Sequence, residues 1–340
     1  MAYNLEKLNK HVKNIYMIHL VDSKLNKNHL SYWIEVFEKS EQNFSFLVRD
    51  EKSFGELIQL YPQHQILYAS TPVDVETIVN AQPSLKVVFF PLNAAKNIHL
   101  LRFNHLKHIF IGTKHSDQLS VINKSYKAYD EIWVSSQSMV DKYNENFENL
   151  GHLQLKIVGK PQLKNVFLES EKMVQKDTII LNIANSNSLF VNQLSVLLLT
   201  LKSHHFSIFI NDNTIFRRLK EFLQGYLLNS NLYLNNSMFD LLIAQSKYII
   251  TDVDNISIFY LAYNQPLIVY VPEDIEKDTL RLDIPHDALY LFSNKDEFLD
   301  IIENIDKDIL KSKREYYAEY FLGKQATLDD EIYKKLKLLN

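Results

Sequence analysis

Apolar and polar positions along this chain fall into blocks. Short apolar runs, NIYMIHLV, FSFLVRD, QILYAS, KVVFFPL, HIFIGT, EIWVSS and LKIVGK, are each bounded by polar residues. Their brevity and their β-branched and aromatic content mark buried strands. The segments between them, among them HLSYWIEVFEKS, SFGELIQLY and SMVDKYNENFENL, read as helices. Strand and helix in turn predict a mostly parallel sheet covered by helices on both faces.

The pattern restarts after the charged, proline-containing stretch VGKPQLKNVFLESEKMVQKD, with TIILNIAN, FSIFIN, LYLN, YIITD, PLIVYV and ALYLF as a second set of strands. The fold class is therefore α/β, with two Rossmann-like domains in tandem, 1–165 and 166–340. The last stretch, DEFLDIIENI, ILKSKREYYAEYFLG and DDEIYKKLKLL, is helical with no strand to pair, and is assigned to the second domain as C-terminal helices. Two such domains facing across a cleft bring the carboxyl ends of both sheets to one place, where ligands of doubly wound sheets bind.

Composition narrows the chemistry. Lys+Arg 37 against Asp+Glu 41 leaves a net charge of -4, which argues against a nucleic-acid binder relying on phosphate neutralisation. Cys 0 removes disulfides, thiolate nucleophiles and cysteine zinc sites. The polar N-terminus lacks the apolar core of a signal peptide and no apolar run is long enough to span a bilayer. The cytoplasm is the expected compartment, and any membrane contact is peripheral, at its inner face. The Gly 6 are scattered, so neither GxGxxG nor a P-loop is present, and a phosphate must be held by side chains and helix N-termini.

Three sets of residues carry candidate chemistry. Thr113, Lys114, His115, Ser116, Asp117 and Gln118 stand together at a strand end, six polar groups where a cleft is expected. Lys96 and Asn97 follow another strand end and lead into a helix, so that an ammonium and a helix start face an anion together; a solvated lysine is the alternative. Thr251, Asp252, Val253, Asp254 and Asn255 follow a strand of the second half, and their Asp-x-Asp spacing leaves three roles open: a ligand-binding edge, a helix cap, or a metal site through carboxylate oxygens.

The stretch VVFFPLNAAKNIHLLRFNHLKHIFIGTKHSDQLSVINKSYKAYDEIWVSSQSMVDKYNENF with KIVGKPQL, and SMFDLLIAQSKYIITDVDNISIFYLAYNQPLIVYVPE, resemble the CDP-glycerol glycerophosphotransferase family, the teichoic-acid and capsule polymerases. The resemblance implies a GT-B fold, a CDP-linked donor, a polymer or lipid-linked acceptor, and no metal or other cofactor. It implies an acceptor side in the first domain and a nucleotide-donor side in the second, with room for a peripheral membrane or biosynthetic-complex partner. The family's His-Gly-Asp-Ser-Asp-Lys element corresponds to residues 113–118, which places Thr113 at the family's catalytic histidine. Its Arg-Pro-His element should correspond to the end of FSIFINDN, where this chain has Ile210, Asn211, Asp212 and Asn213, so both histidines are replaced.

The catalytic candidates are then His115 as proton acceptor, held by Asp117, with Lys96, Asn97, Lys114 and Ser116 on the acceptor. Thr251, Asp252, Asn255 and Ser257 are the donor candidates. The expected function is transfer of a polyol-phosphate or sugar unit from a cytidine nucleotide to a cell-surface polymer. The alternatives are a catalytically degenerate homologue acting as a binding or scaffold subunit, and a glycosyltransferase using a nucleotide sugar.

Overall fold

The computed structural model describes residues 13–21, 27–112, 122–163, 178–183, 197–199, 201, 205–210, 217, 220–221, 224, 230–234, 243–253, 256–324 and 328–339. They divide into two compact units, Met1–Gln162 with Gly323–Asn340, and Leu163–Leu322. Every apolar run named above contains a strand. The first unit holds β1 (Tyr16–Leu20), β2 (Phe44–Val48), β3 (Gln65–Tyr68), β4 (Val87–Phe90), β5 (Lys107–Phe110), β6 (Glu131–Val134) and β7 (Gln154–Ile157). The second holds β8 (Thr178–Ile183), β9 (His205–Ile210), β10 (Ser230–Leu234), β11 (Tyr248–Asp252), β12 (Leu267–Tyr270) and β13 (Tyr290–Phe292).

All strand pairs are parallel. The strand orders are β3-β2-β1-β4-β5-β6-β7 and β10-β9-β8-β11-β12-β13. Each sheet grows outward from its first strand, then resumes on that strand's other side. The direction of winding therefore reverses between β1 and β4 and between β8 and β11, and connections leaving the two strands diverge there. These are Rossmann-like sheets.

The helices follow from local sequence. In α1 (Lys27–Lys39), Leu30, Trp33, Ile34 and Phe37 recur at helical spacing and pack on Tyr16, Ile18 and Phe89. Asp50 caps α2 (Glu51–Leu60) by accepting from Ser53 N. Thr71 and Asp74 close a reciprocal capping box on α3 (Pro72–Asn80), with Pro72 in its first turn. Alternation along β1 sends Tyr16 and Ile18 into one core and Met17 into the other, on the opposite face. The short α4 (Ile98–Leu101) follows β4, and α5 (Gln137–Asn146) follows β6.

In the second unit α6 (Lys295–Asn304) sets Phe298 in a core with Ile250 and Phe292. On the other face α7 (Lys311–Leu322) buries Ala318 and Leu322 beside Ile180 and Ile249.

The last helix corrects the expectation that everything beyond residue 165 forms the second domain. Ile332 and Leu336, one turn apart on α8 (Leu328–Leu338), are completely buried among Tyr16, Trp33 and Phe37 of the first unit. The Tyr16 hydroxyl donates to the Leu336 carbonyl at 2.6 Å. The chain re-enters the first unit through Gly323, whose φ is +89° and where a Cβ would lie 2.4 Å from the Ser135 carbonyl oxygen. Leu336→Ala is therefore expected to destabilise the protein by about 2–5 kcal/mol in urea denaturation. Leu338→Ala, whose parent side chain is 85% exposed, should stay within about 0.5 kcal/mol of the unsubstituted protein.

Candidate functional site

Polar side chains gather where the winding of the first sheet reverses. His19 is the penultimate residue of β1, 1% exposed, with its ring edge-on to Phe90 at 5.6 Å between centroids. Its Nδ1 lies 3.1 Å from Oδ1 of Asn97, which closes the 3₁₀ turn Ala95–Asn97 after β4. The contact joins the carboxyl ends of β1 and β4. Asn97 is itself held: its Nδ2 donates to the Leu92 carbonyl at 2.7 Å and to the Tyr129 hydroxyl at 2.8 Å, and that hydroxyl donates to Asn93 Oδ1 at 3.0 Å.

This chain of donors fixes the state of His19. With the Asn97 amide nitrogen turned to two acceptors, its oxygen faces His19, so His19 Nδ1 carries the proton and Nε2 bears a lone pair. Among the described residues Nε2 is buried with no hydrogen-bond partner. Burial, reinforced by the charge of Arg49, pulls the imidazole pKa down to about 3. Burial likewise pushes the Tyr129 phenol up to about 12.

Arg49 stands at the carboxyl end of β2, beside β1, and is 3% exposed. Its Nε donates to the Ala69 carbonyl at 2.5 Å, Nη2 to the Ser70 carbonyl at 3.3 Å and Nη1 to His99 Nδ1 at 3.0 Å. A guanidinium has only donors, so His99 Nδ1 accepts and the His99 proton sits on Nε2. Burial, then the charge of Arg49, holds His99 below the usual histidine range. Three adjacent strand ends thus present a buried cation, two neutral imidazoles of opposite tautomer and the exposed Lys96.

Of the acceptor-side residues expected from sequence, Lys96 and Asn97 lie in this cluster, Lys96 at its surface and Asn97 as an internal brace. Arg102 is tied to Glu76 at 2.9 Å. Thr113, Lys114, His115, Ser116, Asp117 and Gln118 fall outside the described residues, as do Asp254 and Asn255.

The second sheet repeats the arrangement at its own reversal. Thr251, fully buried at the end of β11, donates its hydroxyl to the Asn182 carbonyl of β8 at 3.2 Å. It braces the strand ends and its hydroxyl is already engaged. Asn182 Nδ2 donates to the Tyr260 hydroxyl, and burial raises the Tyr260 phenol to about 12, with the nearby Asp252 charge adding to the effect. Asp252 is 2% exposed. Ser257 caps the 3₁₀ helix Ile258–Tyr263 by accepting from Phe259 N at 3.3 Å. Among the described residues no three His, Asp or Glu side chains gather as a metal site would require.

His19, Arg49, His99, Asn182 and Tyr260 are not among the sequence-stretch candidates above. The signal for two of them is a polar residue in the last positions of an apolar run: His19 in NIYMIHLV and Arg49 in FSFLVRD.

The state of His19 makes stability depend on pH. Above its ordinary range the ring is neutral in both folded and unfolded chains. As pH falls, the unfolded chain takes up a proton that the folded protein refuses, so stability is lost between about pH 6.5 and about pH 3, by up to ~1.4 kcal/mol per pH unit. His99 and His108 are also held low by burial. They act alike in both proteins, so urea titrations of the unsubstituted chain and His19→Gln isolate His19. The stability difference between the two should move in favour of His19→Gln from about pH 7 to about pH 4, and a constant difference would show that folding leaves the His19 pKa unchanged.

No family model matches the chain, and no curated protein matches it by sequence. Solved structures do match, end to end. UDP-GlcNAc 2-epimerase from Neisseria meningitidis bound to UDP-GlcNAc aligns with a TM-score of 0.61 at 10% identity, over 95% of this chain and 100% of that one. The wall teichoic acid polymerase TagF soaked with CDPG aligns at 0.54 and 12% identity, over 99% of this chain and 93% of that one. A glycosyltransferase from Rickettsia africae aligns at 0.50 and 12% identity, over 96% and 98%. Two parallel doubly wound sheets in tandem, matched along the whole chain by such proteins, give this protein the GT-B fold.

Proposed function

We propose that this protein is a nucleotide-dependent transferase that moves a polyol-phosphate or sugar unit from a cytidine nucleotide to a cell-surface polymer or lipid-linked acceptor. The observation that carries the reading is the likeness over 99% of the chain to a teichoic acid polymerase soaked with CDPG. The resemblance in residues 86–165 and 236–272 points the same way. Buried polar clusters at the reversal points of both sheets supply sites of the kind such a reaction needs.

In this reading the donor lies at the second sheet's edge. Asp252, Asn255 and Ser257 form its rim, with Thr251 bracing it from beneath. The first domain receives the acceptor, with Lys96, Lys114 and Ser116 toward its phosphate. Asn97 keeps the neighbouring strand ends in register, and His115, steadied by Asp117, takes the proton of the attacking hydroxyl. Thr113 has no basic lone pair near neutral pH, so the proton acceptor has to come from elsewhere in that stretch.

A thermal-shift series with CMP, CDP-glycerol, CDP-ribitol, UDP and UDP-GlcNAc tests the donor. Cytidine nucleotides should raise the melting temperature above the uridine series, because binding to the folded state alone stabilises it. Equal shifts would remove the cytidine assignment, and no shift with any nucleotide at millimolar concentration would favour a scaffold. If turnover is found, His115→Ala should lower kcat roughly 10²-fold or more with donor KM nearly unchanged. Full activity in that variant would take His115 out of the chemistry.

A further inference from the structure

Arg314, on α7, is a charged side chain inside the second unit and is 1% exposed. Its Nη2 donates to Asp308 Oδ2 at 2.5 Å and to the Asn264 carbonyl at 3.3 Å. Among the described residues Nε and Nη1 are buried without an acceptor. A cation held in this way adds little to stability, because one carboxylate has to offset the removal of the charge from water while other donors go unpaired. What the guanidinium does accomplish is geometric.

Its two partners share a backbone state. Asn264, at φ +51°, and Asp308, at φ +37°, are left-handed, and with Glu41 they are the non-glycine residues at positive φ among those described. Asn and Asp enter that region more readily than other residues, and they stay there where the surroundings hold them. Asp308 follows the 3₁₀ turn Ile305–Lys307, and its Oδ1 accepts from the Tyr290 hydroxyl of β13 at 3.3 Å. Asp308 is thus tied to the sheet, and Arg314 carries the tie to Asn264. Glu315, the next residue of α7, accepts from Asn264 Nδ2 at 2.9 Å, so α7 grips Asn264 by main chain and side chain together.

Asn264 ends the 3₁₀ helix Ile258–Tyr263, which Ser257 begins. At 6 residues this helix is long for its kind, so its placement depends on what holds its ends. Tyr260, Leu261 and Ala262 pack in the core that Ala318 and Leu322 of α7 help to form, and Asn182 of β8 reaches the Tyr260 hydroxyl from the reversal point. The segment therefore runs from the edge of the second sheet to Arg314.

We propose that Arg314 is a positioning residue for the nucleotide donor: by holding Asn264 left-handed it fixes the far end of the 3₁₀ helix, and so sets where Ser257 and Tyr260 stand. The inference rests on the donor reading of the second domain and deepens it by naming what holds that edge from outside. Arg314 acts through Asn264 and does not touch the nucleotide. Without it the segment has to be ordered when the donor binds, and that ordering is taken from the affinity.

Arg314→Met alone leaves the Asp308 carboxylate without its cation. The variant to use is Arg314→Met with Asp308→Asn, which removes both charges and keeps at 308 a residue that tolerates the left-handed state. Its urea midpoint should stay close to that of the unsubstituted protein. Amide hydrogen exchange across 258–264 should accelerate roughly tenfold or more, with exchange across β12 unchanged. The Kd for CDP-glycerol should rise roughly tenfold or more. Asn264→Ala should reproduce both effects, and Asn264→Gly, which adopts positive φ without strain, should show much less of them. This pair keeps the test usable if the double variant fails to fold.

Unchanged exchange across 258–264, accelerated exchange with an unchanged Kd, or equal effects of Asn264→Gly and Asn264→Ala would each overturn the proposal. CDP-glycerol binding that none of these variants alters leaves the donor reading standing without Arg314. If the unsubstituted protein binds no nucleotide, the donor reading fails and takes this role of Arg314 with it.

Discussion

Both sheets are buried on both faces, and this constraint organises the rest of the molecule. A parallel strand covered by helices above and below has no wet side on which to carry polar groups, so its middle is apolar and chemistry is confined to its ends. Backbone pairing consumes the peptide groups within each sheet, while side chains alternate into two separate cores. Several of the buried polar residues that remain stand at the carboxyl edge, and doubly wound topology parts the connections there at one point per sheet. His19 with Asn97, and Asn182 with Thr251, occupy those two points. Each pair ties together the strands between which the winding reverses, so the same contacts that close the sheet edge also shape the candidate sites.

The strands were legible because their signal is local. VVFF and LIVY need no knowledge of partners to be recognised as buried strands, and their alternation with helices is enough to make the sheets parallel. The destination of α8 was not legible. Its periodicity announces an apolar stripe, but Ile332 and Leu336 do not say which core they complete, and the answer lies with Tyr16, some three hundred residues earlier. Arg49 and His99 escaped for a related reason: each is an ordinary polar residue in its own segment, and only the adjacency of β2, β1 and β4 brings them to one edge. Asn97 was legible as a polar residue following a strand end. That it acts as a brace, with every polar atom of its amide engaged inward, required the structure.

Tautomer control gives the first sheet's edge its chemical character. Two histidines of identical intrinsic chemistry are driven to opposite states by what stands behind them, an amide oxygen for His19 and a guanidinium for His99. Burial favours the neutral form of both rings, so each presents its acceptor or donor face without a change of charge. Preorganised dipoles of this kind bind without reorienting, and they do so wherever water is excluded.

The return of α8 has a consequence for how the protein can be built. The first unit is made from two separated pieces of the chain, with the whole second unit inserted between Gln162 and Gly323. Its last helix is made only after the whole second unit, so the core around Tyr16 stays open on one side until α8 has been synthesised. The inserted unit has no such dependence and can complete its own sheet first. A gene fragment ending at the first domain's seventh strand would encode a protein with an uncovered apolar face. A circularly permuted gene, with α8 joined ahead of β1, would instead make each unit a continuous stretch of chain.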